Sequence, residues 1–167
     1  MKVIGKDELK ELLIKCWMSH DAMWFHSCLQ KFGIKKANEL NLASIRSLSK
    51  IEVPRISRAL GIEKEKIRTF EELKGSIRGL FGIAKGEFMD FEYHFSIENG
   101  MRWKVKRCFA YEGMKRMGAS DQYHCGLLHR VKCWIDVLGV KCTVTPQVES
   151  CLMVKDGKCA GKVKFFF

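Results

Sequence analysis

Four side chains in the C-terminal part of the chain, Cys125, Glu149, Cys151 and Cys159, are of types and spacings that suit metal binding. Three thiolates and one carboxylate make a closed tetrahedral set of the kind that holds a structural zinc ion. Cys151 and Cys159 stand eight positions apart, wider than the short spacings of zinc ribbons, so distance along the chain does not by itself join them. A turn would. If Lys155-Asp156-Gly157 forms a three-residue hairpin loop, Met153 pairs with Cys159 and Cys151 with Gly161, which makes the two cysteines diagonal neighbours on one face. Glu149 shares that face, and Gly161 leaves the space beside Cys151 free of a side chain. Cys125 falls near the first turn of a helix capped by Asp121, where the helix dipole favours a thiolate. The plainer reading is four unrelated residues whose cysteines are small buried apolar groups, and His124 is a rival fourth ligand.

The elements that must position these groups follow from hydrophobic period. Residues 7 to 32 read as a helix with Leu9, Leu13, Trp17, Trp24 and Cys28 on one stripe, His20 among them, closed by Gly33. Further helices are expected over 38 to 49, from Pro54, and over 63 to 81 with Ile67, Phe70, Leu73, Ile77 and Leu80 inward. The period then changes to two. Met89 to Ile97 alternate apolar and polar, and Met101, Trp103 and Val105 continue the apolar set after Glu98-Asn99-Gly100. A three-residue loop ending in left-handed Gly100 pairs Ile97 with Met101 and keeps both apolar sets on one face, with Asp90 and Glu92 across from Lys104 and Lys106. A short helix over 108 to 117, a longer one from Asp121 through Leu138 with His124 inward, and a second hairpin of 140 to 154 with 158 to 166 complete the chain, Pro146 marking an edge or bulge.

The first hairpin suggests a second site. Phe91, Tyr93, Phe95 and Trp103 form an aromatic wall of the sort that encloses a small apolar ligand, and His20, Trp24 and Tyr111 would supply polar tips. For any single one of these residues, ordinary core packing is the plainer account. His20, Asp21 and His26 do not share a helix face, so no catalytic triad follows, and phosphate-loop, dinucleotide and HExxH patterns are absent.

Composition sets the outer bounds. The 167 residues suit one domain, 1–167, with a helical part over 1–82 and the two hairpins with their helices over 87–167. The opening MKVIGKDELKELL is broken by charge and no later stretch reaches the length of a membrane span, so the expected location is cytoplasmic. In that reducing setting, eight cysteines imply packing, metal or catalysis rather than disulfides. The net charge of +11 is uneven, with 13 Lys and Arg against 5 Asp and Glu after residue 100. Basic charge alone is a weak cue, and nucleic acid is not the expected partner.

The segments YHCGLLHRVKCWIDVLG and VESCLMVKDGKCAGKVKF resemble the 4-vinyl-reductase-type small-molecule-binding domain, related in fold to transport-particle subunits of vesicle traffic and to phenol-sensing regulator domains. The stretch HDAMWFHSCLQKFGIKKANELN looks like a related prokaryotic group, some labelled thiazoline-carboxylate hydrolases. The resemblance implies an α+β fold of the NO-signalling and Golgi-transport type, an antiparallel sheet flanked by helices, with Zn2+ held by Cys125, Glu149, Cys151 and Cys159. It implies a binding protein for a small apolar or aromatic molecule. The alternatives are an enzyme, either a tetrapyrrole vinyl reductase or a hydrolase of a small heterocycle, and a homodimeric interaction scaffold.

Overall fold

The alternation that marks the first hairpin is realised as strands β1 (Asp90–Ser96) and β2 (Gly100–Arg107) in a computed structural model describing residues 2–62 and 67–167. Tyr93 pairs with Trp103 and Phe95 with Met101, so the two apolar sets share a face as the loop argument requires. The register is shifted by two residues from the expected one, with Met101 opposite Phe95 and not Ile97. Ser96 pairs with Gly100, Asn99 rather than Gly100 takes the left-handed conformation (φ 53°), and Ile97 stands fully exposed at the tip. Asn tolerates that region better than other side-chain-bearing residues, which lets the loop close one residue earlier.

The second expected hairpin forms only in part: its two strands pair antiparallel, but without the tight turn at Lys155-Asp156-Gly157. β3 (Lys141–Thr145) stops before Pro146, which has no N–H to continue the ladder. The chain then bends into a short helix α5 (Leu152–Lys155), turns at left-handed Gly157, and enters β4 (Cys159–Phe166). β4 lies between β2 and β3 in an antiparallel sheet of order β1-β2-β4-β3. The partner of Cys159 is therefore Val105, not Met153, and that of Gly161 is Trp103, not Cys151. The cause is legible in Cys151-Leu152-Met153-Val154, a continuous apolar run that fixes no period-two face. Leu152 is buried at 2% exposure, which the expected strand would have turned outward.

The helices cover one side of this sheet. Helix α1 (Lys6–Ala59) is broken at Gly33, whose φ of 77° and ψ of 169° redirect the axis, and beyond it runs continuously through Pro54 where two helices were expected. Its buried residues in the first half are Ile14, Phe25 and Cys28, while Leu9, Leu13 and Trp24 are exposed, so the inward stripe is rotated from the expected one. Helix α2 (Phe70–Ala84) opens with a capping box of Thr69 and Glu72. The expected start of this helix at Glu63 lies outside the described residues. Leu73, Ile77, Leu80 and Phe81 from α2 pack with Trp134 and Ile135 of α4 (Gly126–Val137) onto Met101, Trp103, Val163 and Phe165 of the sheet. Helix α3 (Phe109–Arg116) follows β2 directly, and a 3-10 turn over Ser120–Gln122 separates it from α4. His124 is exposed rather than inward, because α4 starts after Cys125 and not at Asp121. The architecture is the expected α+β class, a four-stranded antiparallel sheet with helices against it.

Candidate functional site

Three cysteines occupy equivalent local positions. Cys108, Cys125 and Cys151 are the N-cap residues of α3, α4 and α5, and Cys159 opens β4. An N-cap side chain faces the free amides of the first helical turn, so a sulfur placed there meets N–H donors. The Tyr111 amide donates to Cys108 Sγ at 3.4 Å, and the Leu128 amide acts on Cys125 without making a full cap bond. The four elements come together because β2 runs into α3 while β4 pairs beside it. Cys159 lies opposite Val105, three residues before Cys108.

The electrostatics give the convergence independently of the register. Burial pushes the Cys125 thiol up to about 12, and Cys108, Cys159 and Cys151 add like-charge repulsion. Cys159 is raised to about 11 by burial, with Cys108 and Cys151 adding to it and the Trp103 indole opposing it. Cys108 is raised as well, by burial first and by Cys151 among its neighbours. Cys108, Cys125 and Cys159 each thus feel Cys151, although among the described residues no three His, Cys, Asp or Glu side chains are arranged to hold a metal ion.

Two observations bear on whether a zinc ion suits this cluster. Trp103 Nε1 is buried without a full hydrogen bond, and the group its N–H acts on is the Cys159 sulfur. A thiolate there would accept that orphan N–H, as outer-shell donors commonly do for metal-bound sulfur. The donor set itself also differs from the expected one. Glu149 sits in the irregular stretch after β3 and is exposed, not aligned on a strand with Cys151, while Cys108, which was not anticipated as a ligand, lies among the sulfurs. Gly161 does not make room for an ion either. A Cβ at that position would collide with the Trp103 ring and the Thr145 carbonyl, so the glycine is needed for strand packing.

Beside the sulfurs lies a cavity of about 490 Å3, whose wall includes Cys108, Cys125, Glu149 and Cys159. Its body is aromatic. Phe81 stacks at 4.7 Å on Tyr93, 5.2 Å from Phe91 and 5.4 Å from Trp134, and Trp103 and Met101 continue the wall across the sheet. Phe91, Tyr93 and Trp103 therefore face this cavity, whereas Phe95 packs against Phe70 on the far side of Tyr93. His20 and Trp24 are exposed on α1, and His20 lies 3.6 Å from the neighbouring Asp21 carboxylate. Tyr111 joins a separate cluster around Phe25, Met114, Tyr123 and Cys151. These three supply no polar tips because the inward face of α1 is rotated away from them and α3 packs on the other side of the sulfurs.

The polar tips come instead from α4. Arg130 lines the cavity with its guanidinium 4.6 Å over the Trp17 ring and 5.3 Å from that of Trp134. Glu52 on α1 accepts Arg130 Nε at 2.9 Å and also takes Nη2 and the Trp134 indole N–H, an ion pair with side chains 12% and 8% exposed. Sequence reasoning missed this constellation, since a lone Glu on one helix and a lone Arg 78 residues later carry no local pattern. His129, one position before, also lines the wall, its pKa lowered by burial and by Arg46. Its Nε2 lies 3.4 Å from Cys133, but that thiol is raised by burial and is not in the cavity wall, so the pair is no activated nucleophile.

Residues 2–126 match the family of unknown function DUF6125, and with three quarters of its length covered the chain belongs to that family. No curated protein matches the sequence.

Proposed function

As the function of this family member, we propose binding of a small, largely apolar or aromatic molecule in the cavity between the sheet and helices α2 and α4. The observation that carries the reading is the aromatic enclosure itself. A volume of about 490 Å3 is in the range of small-ligand sites, and Phe81, Phe91, Tyr93, Trp103 and Trp134 offer ring faces to it. A zinc ion held by Cys125, Cys151 and Cys159, with Cys108 or Glu149 as fourth ligand, would stiffen one end of the wall by tying α4, α5 and β4 together. Such thiolate ligation belongs in a reducing, cytoplasmic setting. No helix among the described residues is long and apolar enough to cross a membrane.

The binding reading is tested by native mass spectrometry of the purified protein together with titration of an environment-sensitive apolar dye. Leu127 is a half-buried lining residue, so Leu127→Trp should occupy part of the cavity without opening the core. Dye affinity is expected to fall on the order of tenfold in that variant. Equal dye binding in both proteins would remove the cavity from consideration, and turnover of a candidate heterocycle or vinyl tetrapyrrole by the wild type would favour the enzyme reading instead.

A further inference from the structure

The positive charge that follows residue 100 is gathered on one surface. With the apolar positions of all four strands turned toward the helices, the alternate positions face away from the core. Arg102, Lys104 and Lys106 of β2, Lys162 and Lys164 of β4, and Lys141 of β3 occupy these positions, and all six are exposed. Arg102 pairs with Lys162, which pairs in turn with Thr145, so cations sit side by side across the sheet. Like charges directly opposite one another destabilise a sheet, so the arrangement calls for an external counter-charge. The internal one is small. Glu92 takes Lys106 and acts on Lys104, Asp90 acts on Lys106 and Arg107, and Lys164 Nζ reaches the Glu98 backbone carbonyl.

The surface is also shaped. A hollow of about 400 Å3 lies there, with Arg102, Lys162 and Lys164 beside Ser96, Thr143 and Thr145 and with Glu98 as the one acidic residue of its rim, while Gly100 admits the Ser96 hydroxyl at close range. Guanidinium, ammonium and hydroxyl groups together are what proteins use to hold phosphate oxygens. Along β2 the cations repeat every two residues, about 6.8 Å in an antiparallel strand, which is close to the separation of successive phosphates in an extended polynucleotide. At the β3 edge Phe166 pairs with Lys141 and is 49% exposed, leaving a ring face on which an unpaired base can stack.

We propose that the outer face of the sheet binds single-stranded nucleic acid through its phosphates, without sequence selectivity. The concavity, the hydroxyls and the exposed ring favour a flexible polynucleotide over a flat anionic membrane. This surface lies on the opposite side of the sheet from the apolar cavity, so the proposal stands independently of ligand binding there.

The test is fluorescence anisotropy of a labelled oligodeoxythymidine with the full chain between about 50 and 200 mM salt. The wild type should bind at low salt with a log–log salt dependence, and Arg102→Glu, Lys162→Glu and Lys164→Glu combined should weaken binding on the order of tenfold or more. Because three phosphate contacts are removed, the salt slope should fall by about 2. The neutral triple, with Gln at the same positions, should weaken binding in the same direction, and circular dichroism of both variants checks the fold. A control with the same charge change on the helical side, Lys35→Glu, Lys50→Glu and Lys115→Glu, should retain the wild-type slope. The proposal is overturned if the wild type does not bind, or if the control loses as much as the sheet variants. It is equally overturned if the protein sediments with phosphatidylserine-containing vesicles while leaving the oligonucleotide free.

Discussion

A buried thiol is a poor ligand until its proton leaves, and neighbouring buried thiols hold their protons more tightly still. Cys108, Cys125 and Cys159 are in that position, with the Cys151 side chain buried nearby, whereas Cys16 is exposed on α1. Zinc binding to this cluster should therefore release protons and tighten as pH rises, by about tenfold per pH unit for each thiol deprotonated. Purified protein is expected to carry about one zinc per chain, lost from Cys125→Ser, Cys151→Ser and Cys159→Ser and kept by Cys16→Ser. The fourth ligand is decided by comparing Cys108→Ser with Glu149→Gln. The sulfur cluster predicts that only the first loses metal, and cobalt substitution reads the number of thiolates from the intensity of its sulfur charge-transfer band. Metal content equal in all these variants would dispose of the site.

Among the elements, the contact between α1 and α4 depends on a charged pair in an apolar setting. Glu52 satisfies both Arg130 and the Trp134 indole, and the Arg130 guanidinium is sandwiched between two Trp rings. Removing one partner strands the other's charge, so Glu52→Leu should cost about 3–5 kcal/mol of stability. Adding Arg130→Met should recover most of that loss, since a well-packed apolar pair can replace a buried ion pair. Urea denaturation of the single and double variants measures both. A second contact is lighter: Asn38 of α1 donates to the Gln122 carbonyl at 2.7 Å and accepts the His124 amide at 3.2 Å, which fixes the turn that delivers Cys125. Strands were legible where apolar and polar residues alternate, as from Asp90 to Arg107. They were not legible between Pro146 and Lys158, where an unbroken apolar run fits a helical turn as well as a strand.

For the molecule as a whole, the same thiols set a pH limit. Burial pushes the Cys125 thiol from its ordinary value of 9.0 up to about 12, and that of Cys159 up to about 11. A raised acid group stabilises the fold fully below its unfolded value and loses that contribution as pH climbs toward the folded one. Metal-free protein should accordingly lose stability from about pH 9 upward, with the decline shallower in Cys125→Ala. Thermal melts across pH 8 to 11 in the presence of chelator and reductant provide the check; a flat profile would contradict the burial of these sulfurs. The two faces of the sheet divide the remaining work, one enclosing an apolar cavity and the other presenting six cations.

Local pattern by itself determined the α+β class, the first hairpin with its common apolar face, and the aromatic side chains Phe91, Tyr93 and Trp103 as a group. Each of these depends on period, turn residues or spacing within a short stretch. Tertiary structure alone decided that β4 inserts between β2 and β3, because strand partners are chosen by burial over the whole chain. That choice brought Cys108 to the other sulfurs, left Glu149 exposed and matched Gly161 to the Trp103 ring. It likewise joined Glu52 to Arg130 and collected the scattered lysines onto one face, outcomes set by which surfaces must leave water and not by any residue's neighbours in sequence.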